Sequence, residues 1–267
     1  MRSFVVDSPI ENITVIGAGN VGSQLCKQLY LKGYKIDAII NSGSDVSAKF
    51  LDDINSVHID QIQNCPEKSD AYLIAVSDDQ YEDVIAKFPY RDKLMIHTSG
   101  SFESKRFEKI TKRWGCLYPL QTISKTKEVN WKNVQFFTEC AQENDYLKMS
   151  TLCKKAGFIS QYANSEKRKQ LHIAAVVSNN FTYHLLSLVK THCLKNNIDY
   201  NLLRHLIEQS IENVTKENPF VLQTGPAVRN DTKLIERQLS VLKNEHELKE
   251  IYDLFTRQII QKHHHEL

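Results

Sequence analysis

Gly17-Ala18-Gly19-Asn20-Val21-Gly22 sets three glycines in a G-x-G-x-x-G spacing directly behind the apolar run Ile13-Thr14-Val15-Ile16. The pattern suits a diphosphate. Gly17 permits a tight turn, Gly19 removes a side chain where backbone must approach phosphate oxygens, and Gly22 lets the next helix pack closely on the strand. The helix start adds N–H groups without intrahelical partners and a partial positive charge. A glycine turn in an α/β protein that binds no nucleotide is the plainer alternative. Against it, the whole chain has only nine glycines, and three of them fall in this register.

A loop of this kind predicts a dinucleotide, and the end of the second strand should discriminate between its forms. An acid there hydrogen-bonds the adenosine ribose of NAD. Here Ile40 is followed by Asn41-Ser42-Gly43-Ser44, small amide and hydroxyl groups that can surround a 2′-phosphate without a carboxylate in that turn to repel it. NADP is therefore favoured over NAD, with Lys49 a candidate counter-charge if the following helix turns it inward.

Ligands of open parallel sheets sit beyond the carboxyl ends of the strands, which makes the residues after each strand the next candidates. Val76-Ser77-Asp78-Asp79 would face the cofactor, or its acids would cap the next helix. His97-Thr98-Ser99-Gly100-Ser101 brings an imidazole and hydroxyls toward a reacting carbonyl, or forms a turn with a cap. Tyr118-Pro119-Leu120-Gln121-Thr122 is a stiffened turn able to hold Gln121 toward the same cleft, or to pack. Further on, His172 and Asn179 lie seven residues apart, on one face of a regular helix, with Asn180 near the same edge. There His172 could donate a proton and Asn179 orient a carbonyl, unless both are satisfied by neighbouring backbone. Arg229 is a candidate anion clamp and Asp231 a candidate N-cap. Of the terminal histidines, His263, His264 and His265 are expected to form a charged, frayed helix end rather than a metal site.

The elements that must position these groups follow from periodicity. Short β-branched or apolar runs at 13–16, 36–40, 71–76, 94–98, 116–118 and 134–137 alternate with amphipathic stretches such as 19–31, where Val21, Leu25 and Leu29 recur and Gly33 can stop the helix. This predicts an α/β fold, a doubly wound parallel sheet of the Rossmann type. After Phe158 the pattern turns helical, over about 165–195, 200–216, 232–243 and 247–262. An all-helical second domain is expected, with a dinucleotide domain at 1–162 and a substrate and dimerisation domain at 163–267.

Composition limits the partners. Lys+Arg at 34 nearly balance Asp+Glu at 32 and are dispersed among them, which gives no basic field for nucleic acid. The most apolar helical stretch, 171–189, is interrupted by His172, Ser178, Asn179, Asn180 and His184, so no membrane span is expected. Residues 1–12 carry Asp7 and Glu11 and do not read as a signal peptide. The six cysteines include no C-x-x-C pair, as for reduced thiols in a cytoplasmic protein with no disulfide and no metal.

Taken together, the first-loop glycines, His97-Thr98-Ser99-Gly100, Pro119-Leu120-Gln121-Thr122, the His172–Asn179 helix and Gly225-Pro226-Ala227-Val228-Arg229-Asn230-Asp231 give a broader likeness. The chain resembles a family of uncharacterised bacterial proteins described as Rossmann-like NADP oxidoreductases, whose helical carboxy-terminal domain has no known function. That family is similar in architecture to pyrroline-5-carboxylate reductase, ketopantoate reductase and the β-hydroxyacid dehydrogenases. The resemblance implies a second domain of the 6-phosphogluconate-dehydrogenase type and a homodimer paired through it. Three positions depart from these patterns. Tyr118 stands where the family often has His, and Asn230 where a glycine is expected. Lys169 is followed at four residues by Ile173, not by the asparagine of the β-hydroxyacid dehydrogenases. The expected activity is hydride transfer between NADPH and a small carbonyl or imine. The alternatives are a non-catalytic nicotinamide-nucleotide sensor or scaffold, and a reductase acting on a deazaflavin.

Overall fold

The computed structural model describes residues 8–42 and 46–264; Gly43 and Ser44 of the turn after the second strand, and His265, lie outside them. The chain divides into two compact units, 1–175 and 176–267. The last strand of the first unit ends at Tyr162, and one further helix, Ser165–Ala175, belongs to that unit.

That unit is built on an eight-stranded sheet. In chain order its elements are β1 (Asn12–Ile16), α1 (Asn20–Leu31), β2 (Lys35–Ile40), α2 (Ala48–Asp53), β3 (His58–Ile59), β4 (Ala71–Ile74), α3 (Tyr81–Lys87), β5 (Leu94–His97), β6 (Trp114–Pro119), β7 (Gln135–Cys140), α4 (Glu143–Ala156), β8 (Ile159–Tyr162) and α5 (Ser165–Ala175). The spatial order is β3-β2-β1-β4-β5-β6-β7-β8, so the winding reverses between β1 and β4. At such a switch point the loops after adjacent strands diverge and leave a crevice.

Both faces of the sheet are covered. Along β4 and β5, Leu73, Leu94 and Ile96 face the layer containing Leu25 and Leu29 of α1 and Leu152 of α4. The alternating Tyr72, Ile74 and Met95 face the layer of Tyr81, Ile85 and Phe107. A period of two with both sets apolar is what a doubly covered strand requires. Gly33 adopts φ +78° just past the end of α1, a left-handed turn that stops the helix where expected.

The sheet is mostly parallel, with one departure from the wholly parallel expectation. β7 pairs antiparallel with β6 and parallel with β8. Between β6 and β7 the chain has only a three-residue 3₁₀ turn at Trp131–Asn133, too little to cross over the sheet, so the strand returns beside its predecessor in the opposite sense. The 14-residue α4 then makes a true crossover to β8.

The second unit contains a π-helical segment at Val176–Phe181 followed by α6 (Thr182–Lys195), α7 (Arg204–Val214), α8 (Pro219–Leu222), α9 (Thr232–Val241) and α10 (His246–His264). Among the described residues no helix is long and apolar enough to cross a membrane. The Asp231 carboxylate accepts from the Leu234 N–H at 3.1 Å, the N-cap expected for α9. Asn230 has φ +52°, which is the physical reason a glycine suits that position and why asparagine can replace it. The end of α10 is not frayed through His264. His263 stacks on Phe220 with ring centroids 4.2 Å apart and hydrogen-bonds Gln223, and His264 bonds the Val228 carbonyl. Among the described residues no group of three or more His, Cys, Asp or Glu side chains is placed to hold a metal ion.

Candidate functional site

The glycine loop sits at the switch point. Gly17 has φ +98°, and a Cβ there would stand 2.4 Å from the Ala75 carbonyl oxygen, so the turn passes the end of β4 with no room for a side chain. A Cβ on Gly22 would lie 2.0 Å from the Gly17 oxygen. Gly19 differs: its missing side chain would point into open space, with nothing nearer than 3.9 Å. No side chain caps α1, and its first turn contains no acid. An uncapped helix start with bare backbone beside it leaves N–H donors for an anion. These three glycines therefore separate into two structural roles and one open face.

The open face borders a cavity of about 580 Å³, walled by Gly17 and Gly19, by Asn41 and Ser42 after β2, and by Val76 and Ser77 after β4. These are cofactor-binding candidates named from sequence, brought together. The other residues of the fingerprint turn elsewhere. Ala18 is buried and Val21 packs on the core. Asn20 accepts a hydrogen bond from the Lys125 N–H at 3.1 Å. Asn41 occupies the place of the ribose-binding acid, but its Oδ1 accepts from the Ala18 N–H at 3.0 Å and so braces the glycine loop. The cavity also contains carboxylates that sequence reading did not place there, Asp60 after β3 and Asp83 on α3. Two-residue β3 gave no periodic signal from which Asp60 could have been found.

Gly19→Ala is expected to fold normally, since its φ of −68° is ordinary and the methyl meets nothing nearer than 3.9 Å. Nucleotide affinity should nevertheless fall about tenfold or more, because the methyl would stand where phosphate must approach backbone. Titration of the variant with NADPH, alongside a melting curve, checks both halves.

The other candidates separate more sharply. His97 ends β5 but is fully buried, with Nε2 2.8 Å from Ser104 Oγ. Burial, with the nearby Arg168 cation second, holds its pKa well below the ordinary imidazole value, so the ring is neutral. It has no surface to offer a substrate, contrary to the expectation that it approaches one; hydrophobic packing against Tyr81, Phe102 and Phe107 encloses it. Ser99 donates to Asp78 at 2.7 Å, and Ser101 also hydrogen-bonds that carboxylate, which ties the loop after β5 to the loop after β4. Gln121 is exposed, its carbonyl turned back onto the Thr122 N–H. Arg229 is exposed in the second unit. Asn179 lies in the π segment of that unit, where the turn is wider than the 3.6 residues of a regular helix.

His172, on α5, meets a residue named from sequence only as an anomaly. Tyr118 Oη lies 3.0 Å from His172 Nδ1, the rings meeting edge to face. Gly100 closes the arrangement: a Cβ there would fall 2.7 Å from the Tyr118 ring and 3.0 Å from His172. Burial, with Cys116 as a lesser cause, pushes the Tyr118 phenol up to about 12, so it keeps its proton and can donate to Nδ1. With Nδ1 as the acceptor of that hydrogen bond, Nε2 is the ring nitrogen left to donate.

α5 is held in place by a buried ion pair that sequence reading missed. Arg168 is fully buried, 2.5 Å from Glu139 on β7, and its other nitrogen donates to Ser104 at 2.8 Å and Ser165 at 3.1 Å. His172 lies four residues later on the same face of α5. One arginine thus couples β7, the His97–Ser104 contact and the helix bearing His172.

Residues 12–100 match the family described as NADP oxidoreductase coenzyme F420-dependent, and residues 134–259 match a domain of unknown function (DUF2520). A crystal structure from Bacteroides fragilis, described as a putative NADP oxidoreductase, is 28% identical with a TM-score of 0.85 over 94% of this chain and 98% of that one. The chain resembles the Rossmann-like NADP oxidoreductases. An imine reductase from Myxococcus stipitatus in complex with NADP+ superposes with a TM-score of 0.71 at 14% identity, over 95% of each chain. A Plasmodium falciparum pyrroline carboxylate reductase with NADP bound gives 0.56 at 11%, over 95% of this chain and 98% of that one. These last two likenesses establish shared fold alone. No curated protein matches the chain.

Proposed function

We propose that this protein is an NADP-dependent oxidoreductase acting on a small carbonyl or imine. The observation that carries the reading is the uncapped start of α1 beside the open face of Gly19, at the switch point and above a cavity of dinucleotide dimensions. Bound NADPH would supply the hydride. The chain's own residues would hold the diphosphate on backbone N–H groups of Gly19 to Gly22 and enclose the adenosine between Ser42 and Val76. His172 Nε2, its proton fixed there by Tyr118, would protonate the developing alkoxide or amine. Supporting the location, Tyr118 lies in the last residues of β6 and Gly100 follows β5, at the same carboxyl edge of the sheet as the glycine loop.

On this reading residues 1–162 form the dinucleotide domain, and residues 163–267 the substrate and pairing domain. Homodimerisation through the second unit accords with its exposed apolar side chains, among them Tyr183, Leu202, Leu206 and Val241. All six cysteines are free thiols, which accords with the reducing cytoplasm.

Thermal unfolding with each nucleotide tests the assignment. At a hundredfold excess over its Kd, NADPH is expected to stabilise by about 2.7 kcal/mol and so to raise the Tm by several degrees. NADH should do less. Loss of NADPH absorbance with a panel of keto acids and cyclic imines then separates an enzyme from a nucleotide sensor. No Tm shift with either nucleotide would remove the assignment.

A further inference from the structure

A second cavity of about 290 Å³ shares Asn41 with the first and differs from it in charge. The first has Asp60 and Asp83 in its wall beside Lys87. Lys27 and Lys125, with Ser23 and Ser47, line the second, which has no acid among the described residues. Among the described residues neither ammonium forms an ion pair. Lys27 Nζ lies 5.6 Å from the centre of the Phe50 ring, a contact that helps to place the ammonium without neutralising its charge. Two like charges converging on one concavity repel each other unless an anion joins them, and such a cleft concentrates anions from solution.

Both lysines are held there by the surrounding fold. Lys27 faces outward from α1, one turn beyond Ser23. Lys125 comes from the long connection between β6 and β7, about a hundred residues away in sequence. That connection is strapped to α1 by two polar side chains. Gln24, almost fully buried, donates to the Ser124 and Lys127 carbonyls at 2.8 and 2.9 Å, and Asn20 accepts from the Lys125 N–H. The middle residue of the fingerprint therefore helps fix a cation beside the adenosine end of the loop.

We propose that this second cavity is the subsite for the 2′-phosphate of the dinucleotide, with Lys27 and Lys125 as its counter-charges and Ser47 Oγ as a neutral donor. The inference rests on the nicotinamide-nucleotide reading above and deepens it. The phosphate would leave the acid-lined first cavity by way of Asn41, where an aspartate or glutamate would repel it. Discrimination between NADP and NAD then resides on α1 and on the strapped β6–β7 connection, not on a cation in the turn after β2.

Fluorescence titration of NADPH and NADH against the native protein, Lys125→Gln and Lys27→Gln/Lys125→Gln supplies the test. Removing one charge-assisted hydrogen bond should weaken NADPH about tenfold, and the double variant more, while NADH changes by less than about twofold. Lys125 is exposed, so its single variant reports even if the double variant loses stability. Adenosine 2′,5′-bisphosphate should compete better than adenosine 5′-monophosphate with the native protein only. Unchanged NADPH affinity in both variants, or equal weakening of NADPH and NADH, overturns the subsite and leaves the nucleotide reading standing. A native protein that binds neither nucleotide overturns both.

Discussion

Replacing Arg168 with methionine is expected to destabilise the protein by about 3–5 kcal/mol, the cost of stranding a buried carboxylate without its cation. Glu139 is 9% exposed and the guanidinium not at all, so water cannot replace the missing partner. The hydroxyls of Ser104 and Ser165, which now accept from Arg168, would lose those donors as well. A surface pair provides the contrast: Lys216 and Glu212 are 63% and 64% exposed, and Lys216→Met should change stability by under about 1 kcal/mol. Urea denaturation followed by tryptophan fluorescence measures both. For a domain of this size the Arg168 variant should melt roughly 10 °C lower. A midpoint equal to that of Lys216→Met would show that Glu139 finds another way to be neutralised, and would remove the claim that this pair anchors α5.

Tyr118→Phe and His172→Ala are each expected to reduce kcat by about 10²–10⁴-fold while leaving NADPH affinity unchanged. The phenylalanine variant is the more informative. It keeps the ring that packs against Phe137 and removes only the hydroxyl 3.0 Å from Nδ1. Without that donor the imidazole proton is free to occupy Nδ1, and the fraction of molecules able to donate from Nε2 falls. Measurements would use whichever keto acid or cyclic imine supports turnover. If Tyr118→Phe were as active as the native protein while His172→Ala were not, the tyrosine would be a packing residue. If both retained activity, the proton would come from another group.

These two predictions differ in how far they could be read from sequence. His172 was legible because a polar residue on an apolar helix stands out, although its partner was not. Tyr118 attracted notice only as a departure from the resembling family, since nothing local connects two residues 54 positions apart. Arg168 and Glu139 were not legible at all. Charged residues on a helix and a strand ordinarily face water, and only the closing of α5 over β7 takes this pair out of it. His97 failed in the opposite direction. Its position at a strand end argued for access, but aromatic rings from two separate turns enclose it.

Local interactions account for what the amino-acid order determined by itself. The glycine register, the turn at Gly33, the apolar strand run beginning at Ala71 and the Asp231 cap all depend on neighbours within a few residues, and each is present as expected. Tertiary structure decided the rest. The two residues of β3 and the four of β8, every one of the latter exposed, are too short or too polar to show a period. The reversal of β7 follows from the lack of a crossover helix and could be seen only once β6 had a neighbour. The strapping of Lys125 against α1, the buried arginine and the tyrosine–histidine pair all join segments far apart in sequence. Their energies come from desolvation and geometry that exist only after the chain has closed on itself.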